Sequence, residues 1–315
     1  MNKGAYACYN LNEETRRGST SGGIFPLLAE FVICKKKGVV FGAIFDEKYN
    51  VIHNYSETMD GITKMCGSKY SQSNAYRSYA MVKKYLVEGR VVLFTGTPCQ
   101  VSALHRYLNK DYDNLFTMDF VCHGVSSPAL WRDYLYSIGK DDVKYVCFKD
   151  KERGWKTWYL KIGYGKKEFS QRGRINRYMR SYLGYVNIRP SCYECKFKGD
   201  NRESDFTISD CWGAGERDSE MNDNRGLSAL LLNTDRAVVV FEELKDLMAY
   251  KKYDREELME GNWTYYKSVP RKTCREDFFA LWKEKGVKSA LKKYFHMGIR
   301  DWIRYLHLRL VGIEK

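Results

Sequence analysis

The sequence has no long apolar run. Its longest stretches, such as VVLF and AVVVF, fall far short of the roughly 20 residues a helix needs to cross a bilayer. Nothing at its start reads as a secretory leader, because MNKGAYACYN is polar and no apolar segment follows it. The expected location is therefore cytoplasmic. In that reducing compartment the 10 cysteines are not expected to form structural disulfides. Histidine and proline are scarce, at 5 each. Two phosphate-binding signatures are missing, the Walker A loop and the G-x-G-x-x-G dinucleotide turn. A second C-x-x-C pair is missing too, and a structural zinc site usually shows two at a loop-sized separation. Acidic residues are the minority, 39 against 53 lysines and arginines, for a net charge of +14. Such a surface suits anionic partners in general, from nucleic acid to phosphorylated cofactors, acidic electron carriers and anionic membranes, or is simply a solvated basic face.

Hydrophobic residues make up 44% of the 315-residue chain and aromatic residues 15%, a folded composition long enough for a substantial core. STSGGIFPLLAEFVICKKKG reads as a glycine turn leading into a helix, because Ile24, Leu27, Leu28, Phe31 and Val32 recur at helical spacing. VVFGAIF, RVVLFTG and LFTMDFVC read as strands rich in β-branched and aromatic residues. NAYRSYAMVKKYLVEG, TPCQVSALHRYL and SPALWRDYLYSIG read as helices, the last two opened by Thr97-Pro98 and Ser127-Pro128. This alternation predicts an α/β fold for residues 1–142, a mixed and partly parallel sheet with flanking helices. From residue 143 the texture changes: VKYVCFKD and TWYLKIGYG read as antiparallel strands, and residues 143–274 as an α+β second half. Residues 275–315 read as a basic helical tail, with Trp302, Ile303, Tyr305, Leu306, Leu308 and Leu310 among its charges. That tail is a candidate for peripheral membrane contact, with a helical cap over the domain as the plainer role.

Ligands of open α/β sheets gather at the carboxyl ends of strands. Cys99 and Cys122 stand at two such ends, in FTGTPCQ and DFVCHGVSSP. Cys192 and Cys195 form the C-x-x-C pair of RPSCYECKF. Read alone, the pair is half a zinc site, a redox dithiol, half an iron–sulfur site or two unrelated thiols. It lies in a polar loop, whereas a thioredoxin-like dithiol sits between strand and helix. Four thiolates from two strand ends and one loop match the requirement of a [4Fe–4S] cluster, with two unrelated pairs as the alternative. Three turns have anion-binding character: Ser21, Gly22 and Gly23 at a helix start, Ser68 and Lys69 in GSKYSQS, and Thr97 in the GTP turn. None is specific alone; together they suggest a nucleotide-type cofactor. His123 adjoins Cys122 and so borders the same strand end, whereas His53, His105, His296 and His307 read as surface residues or edge fillers. Cys8, Cys34, Cys66, Cys147 and Cys274 read as packing residues.

Seven segments occur together and in order: STSGGIF, GSKYSQS, FTGTPCQVSAL, DFVCHGVSSPALWRDYL, RGW, RPSCYECKF and SDFTISDCWG. Through them the chain resembles the beta-subunit family of coenzyme F420 hydrogenases and dehydrogenases, itself similar to 7-hydroxymethyl chlorophyll a reductase. The resemblance implies a flavoprotein holding FAD and a [4Fe–4S] cluster. Electrons would pass between cluster, flavin and a deazaflavin of the F420 type or another small-molecule substrate. It implies Cys99, Cys122, Cys192 and Cys195 as cluster ligands, and places Ser21, Gly22, Gly23, Ser68, Lys69 and Thr97 in segments that hold the flavin. It names no catalytic acid; His123 and Asp210 are the candidates. Many members begin with a ferredoxin-like domain, which this sequence lacks. An external electron carrier, such as a ferredoxin or a partner redox subunit, is therefore expected, and nucleic acid is not. Cys211 departs from the family pattern, as a spare thiol near the cluster or a packing residue. Members without that domain occur beside surface-polysaccharide genes. The rival reading is thus a non-catalytic or zinc-binding accessory protein of a polysaccharide biosynthesis locus.

Overall fold

The computed structural model describes residues 3–200 and 202–298, together with 303 and 306. Eleven strands form among them. The first five are β1 (Gly4–Asn10), β2 (Val39–Phe45), β3 (Val51–Ser56), β4 (Val92–Gly96) and β5 (Leu115–Phe120). Next come β6 (Val143–Asp150), β7 (Tyr159–Tyr164) and β8 (Lys167–Arg172), then β9 (Phe206–Asp210), β10 (Ser228–Leu232) and β11 (Met248–Lys252). Two compact units interleave along the chain. Residues 1–69, 73–123 and 195–268 make the first, and residues 70–72, 124–194 and 269–315 the second.

The first unit is an α/β structure built on an eight-stranded sheet of order β11-β1-β10-β9-β5-β4-β2-β3. Its middle is parallel: β2 pairs with β4, β4 with β5 and β5 with β9, while the outer pairings are antiparallel. Side chains alternate across a pleated strand, and the core divides accordingly. Val39, Phe41, Val92 and Phe94 pack on one face with Val82 and Leu86 of the helix Tyr76–Val87 and Val101, Leu104 and Leu108 of the helix Pro98–Leu108. Val40, Leu93 and Met118 pack on the other with the helices Ile24–Glu30 and Asp235–Leu244. Both faces are covered, which explains why β2 and β4 read as unbroken apolar runs.

The expected strands and helices of this unit are present, including the partly parallel pairing. Three strands of this unit, β1, β3 and β11, had no counterpart among the strands expected from the sequence. β1 runs between β10 and β11 although Gly4, Ala5, Ala7 and Cys8 carry little strand propensity. β3 and β11 close the two edges of the sheet.

The second unit holds the antiparallel sheet β6-β7-β8 and the helices Pro128–Gly139, Arg177–Leu183 and Arg275–Phe295. Aromatic rings fill its core: Trp131 lies 4.6 Å from Phe148 and 5.0 Å from Tyr178, which stacks on Tyr134 at 4.9 Å. The helical tail is observed to Phe295, interrupted at Gly286, where φ is 77°. Of the residues behind the membrane-contact expectation, Trp302, Tyr305, Leu308 and Leu310 lie outside the described residues, while Ile303 and Leu306 are exposed. Among the described residues no helix is long and apolar enough to cross a membrane.

Candidate functional site

The parallel strands of the first unit deliver the predicted residues to their carboxyl ends. β4 ends at Gly96, and Thr97 then caps the helix that carries Cys99 in its first turn. Proline at the first helical position gives up no hydrogen bond there, since that N–H has no partner within the helix. The Thr97 N–H and hydroxyl both donate to Gln100 Oε1, each at 3.0 Å, and the hydroxyl also lies 3.1 Å from Cys99 Sγ. Gln100 in turn donates to Ser73 Oγ at 2.9 Å. The turn is thus held rigidly while the Cys99 thiol itself is exposed.

β5 is the neighbour of β4 and ends two residues before Cys122. Val121 N–H donates to Ile208 O at 3.0 Å, which carries the pairing with β9 past the strand end. Cys122 and the adjoining His123 are half-buried. β9, paired with β5 on its other side, ends at Asp210, whose backbone carbonyl accepts from Asn262 at 3.0 Å. Cys99, Cys122 and Asp210 therefore follow one another along the carboxyl edge of three adjacent parallel strands, as the position rule for α/β sheets requires.

Cys195 belongs to the first unit as well. Its N–H donates to Ser268 Oγ at 2.9 Å, and the Ser268 hydroxyl returns a bond to Cys195 O at 3.3 Å. Three residues on, Lys198 Nζ donates to Cys122 O at 2.8 Å and to Thr264 O at 2.7 Å. One side chain thus fastens the Cys195 segment to the Cys122 segment. Cys192 belongs to the second unit, in the short helical turn Pro190–Glu194. There Gly124 packs so closely, at φ 95°, that a Cβ on it would stand 2.5 Å from Ile188 Cγ2 and 3.2 Å from Cys192 Cβ. Only glycine fits that approach.

Sequence reasoning missed Lys198 and also a buried ion pair just ahead of Cys122. Asp119 is wholly buried on β5 and accepts from Arg202 Nη1 at 3.0 Å and from the Thr207 hydroxyl at 2.6 Å. Burial pushes the Asp119 carboxyl up from its ordinary range, against the opposing pull of Arg202 and Thr207. Arg202 Nη1 also reaches Phe120 O at 3.3 Å, so the pair anchors the end of β5 from below. Nothing local in the sequence marks either contact; both partners of Arg202 lie more than 80 residues earlier in the chain.

The glycine turn is built differently. Ser21 donates to Leu227 O at 2.6 Å, and Gly22 N–H donates to Ser228 Oγ at 2.9 Å. A Cβ on Gly22 would stand 2.5 Å from Cys8 O and 2.9 Å from Ser228 N. The space that the missing side chain leaves is therefore filled by β1 and β10, not by an open cradle. Gly23 takes the left-handed conformation, φ 82°, at the helix start. The second predicted segment does meet the first: Ser68 N–H donates to Thr20 Oγ1 at 2.7 Å, and the two hydroxyls lie 3.1 Å apart. Lys69 Nζ caps the preceding helix, Met59–Met65, by donating to the carbonyls of Met65, Cys66 and Gly67 at 3.1–3.2 Å.

Two residues differ from expectation, His53 and Cys34, and a third, Cys211, is settled. His53 is buried on the edge strand β3 and is not a surface residue. Its Nε2 is 2.9 Å from Thr95 O, its ring stacks 5.4 Å from Phe94, and burial lowers its pKa to about 4. Strand alternation places it inward, because Val51 and His53 share the covered face of β3. Cys34 is exposed and so is no packing residue. Cys211, left open between a spare thiol and a packing residue, is fully buried against Gly215, with its thiol pushed up to about 12 by burial.

The donor set suits an iron–sulfur centre in kind. Cys99 is exposed and Cys122, Cys192 and Cys195 are half-buried, unlike the fully buried Cys8 and Cys211. Among the described residues no three His, Cys, Asp or Glu side chains converge as a metal-holding group. The fit therefore rests on donor chemistry and on the lysine tie between two of the cysteine segments.

Residues 89–256 match the family described as the C terminus of the coenzyme F420 hydrogenase/dehydrogenase beta subunit. That is more than half of the chain, and the chain belongs to this family of oxidoreductase subunits. The match spans all four cysteines, Thr97, His123 and Asp210, but neither of the first two candidate flavin segments. Among solved structures, a chain of the F420-reducing [NiFe] hydrogenase complex from Methanosarcina barkeri, studied by xenon derivatization, shares the fold. The TM-score is 0.57 at 14% identity, over 93% of this chain and 91% of that one. No curated protein matches the sequence.

Proposed function

We propose that this chain is a flavin- and iron–sulfur-dependent oxidoreductase subunit. In this reading Cys99, Cys122, Cys192 and Cys195 hold a [4Fe–4S] cluster, and Ser68, Lys69 and Thr97 contribute to an FAD site whose neighbouring turn is shaped by Ser21, Gly22 and Gly23. The observation that carries the reading is the pairing of Cys99 and Cys122 at the ends of neighbouring parallel strands, with the Cys195 segment tied to Cys122 through Lys198. Bound there, the cluster would supply one-electron transfer and the flavin its exchange for two-electron chemistry.

The chain's own residues have defined work in this scheme. The Thr97–Gln100–Ser73 bonds hold the Cys99 turn. The Asp119–Arg202 pair fixes the end of β5 ahead of Cys122, and Ser268 fixes the backbone of Cys195. His123 and Asp210, half-buried at the same edge, are the groups proposed to hold or pass a proton to substrate. The electron acceptor is a deazaflavin of the F420 type or another small molecule. The donor is a ferredoxin or a partner subunit, for which the chain's net charge of +14 favours an acidic surface.

The test is a set of single substitutions, Cys99→Ser, Cys122→Ser, Cys192→Ser and Cys195→Ser, purified without oxygen. Each is expected to lose most of its iron while keeping the circular dichroism of the parent. Unchanged iron in these variants would remove the ligand assignment, and stoichiometric zinc in the parent would support an accessory protein instead.

A further inference from the structure

Lysine ammonium groups are strongly hydrated and ordinarily stay in water. Lys198 departs from that habit. Half-buried, its Nζ donates to the backbone carbonyls of Cys122 and Thr264 at 2.8 and 2.7 Å. Lys196, two residues before it, is exposed. The loop around Lys198 is fastened independently to the 264–268 segment. Gly199 N–H donates to Tyr265 O at 2.7 Å, and Cys195 and Ser268 exchange two bonds. With that loop already anchored, the lysine's distinct effect is to join Cys122, 76 positions earlier in the chain, to the Cys195 loop. It also holds a positive charge against the main chain of one proposed ligand, three residues from another.

We propose that Lys198 is a positioning and charge-compensating residue for the cysteine edge: it sets the spacing of the Cys122 and Cys195 segments before iron binds, and its charge offsets that of the thiolates once they ionise. This rests on the cluster reading above, but its two halves are separable. Positioning is a property of the protein without iron. Charge compensation concerns the loaded protein: thiolate ligands and an added electron both bring negative charge, so a fixed cation nearby favours the reduced state.

Lys198→Met keeps the apolar stem and removes the charge and the donors. Lys198→Arg keeps the charge and can span both carbonyls with its fork. In iron-free protein, amide hydrogen exchange over residues 121–125 is expected to be about tenfold faster or more in Lys198→Met, the consequence of losing a charge-assisted bond, and near the parent rate in Lys198→Arg. After anaerobic reconstitution with ferrous iron and sulfide, the cluster's reduction potential should become more negative in Lys198→Met and return toward the parent value in Lys198→Arg. Lys198→Gln, which keeps a donor without charge, serves if the methionine variant does not fold; its potential should also fall. Parent-like exchange in Lys198→Met overturns the positioning claim, and a parent-like potential in Lys198→Met or Lys198→Gln overturns the charge claim. If the parent binds no iron, the cluster reading and the charge claim fail together, while the exchange rates still decide the positioning claim.

Discussion

The glycine turn at residues 19–23 and the cysteine edge at residues 97–122 lie in the same unit, and in the sequence both look like ligand sites. The fold treats them differently. At the turn, the motif residues have internal work: Ser21 and Gly22 bond to the chain at Leu227 and Ser228, and the missing Cβ of Gly22 makes room for the Cys8 carbonyl. At the edge, the internal work falls to neighbours such as Gln100, Arg202, Lys198 and Ser268, while Cys99 is exposed and Cys122 and Cys195 are half-buried. A motif whose chemistry is absorbed by packing is weak grounds for a ligand. One whose chemistry is held in place but not absorbed is stronger grounds.

Three substitutions sharpen or break the contrast. The largest effect is expected from Arg202→Ala, which leaves the Asp119 carboxylate buried without its cation and should cost about 3–5 kcal/mol by chemical denaturation. A cost below about 1 kcal/mol would mean that the edge is not built on this pair. Gly22→Ala should cost about 1–3 kcal/mol, because its Cβ meets backbone atoms of both β1 and β10. A neutral result there would reopen the turn as a ligand cradle. The smallest effect belongs to Cys99→Ser in iron-free protein, where the exposed thiol predicts a change within about 0.5 kcal/mol. A loss as large as that of Gly22→Ala would make Cys99 a packing residue and erase the distinction.

Much of this is legible in the sequence, for physical reasons. The β2, β4 and β5 runs and the helices between them are local signals, and the Thr97-Pro98 and Ser127-Pro128 helix starts are chemical ones. These suffice to put Cys99 and Cys122 at strand ends. What escapes depends on partners remote in the chain. β1 is made a strand by β10 and β11, more than 200 residues later, and not by its own small residues. Arg202 and Lys198 acquire meaning only once β9 and the 195–200 loop are brought to the end of β5. His53 is within reach, since VIHNYS alternates as a half-covered strand does. Where histidines are so few, each invites a reading as ligand or surface residue, and a core role is easily missed.

In the proposed function, the cysteine edge holds an iron–sulfur centre working with a flavin. The most direct measurement is the iron, acid-labile sulfide and flavin content of the protein purified without oxygen, read together with its absorbance spectrum. About four irons and four sulfides per chain are expected, with bound FAD, flavin bands and a broad shoulder near roughly 400 nm. A colourless protein, carrying zinc or no metal at all, would contradict it.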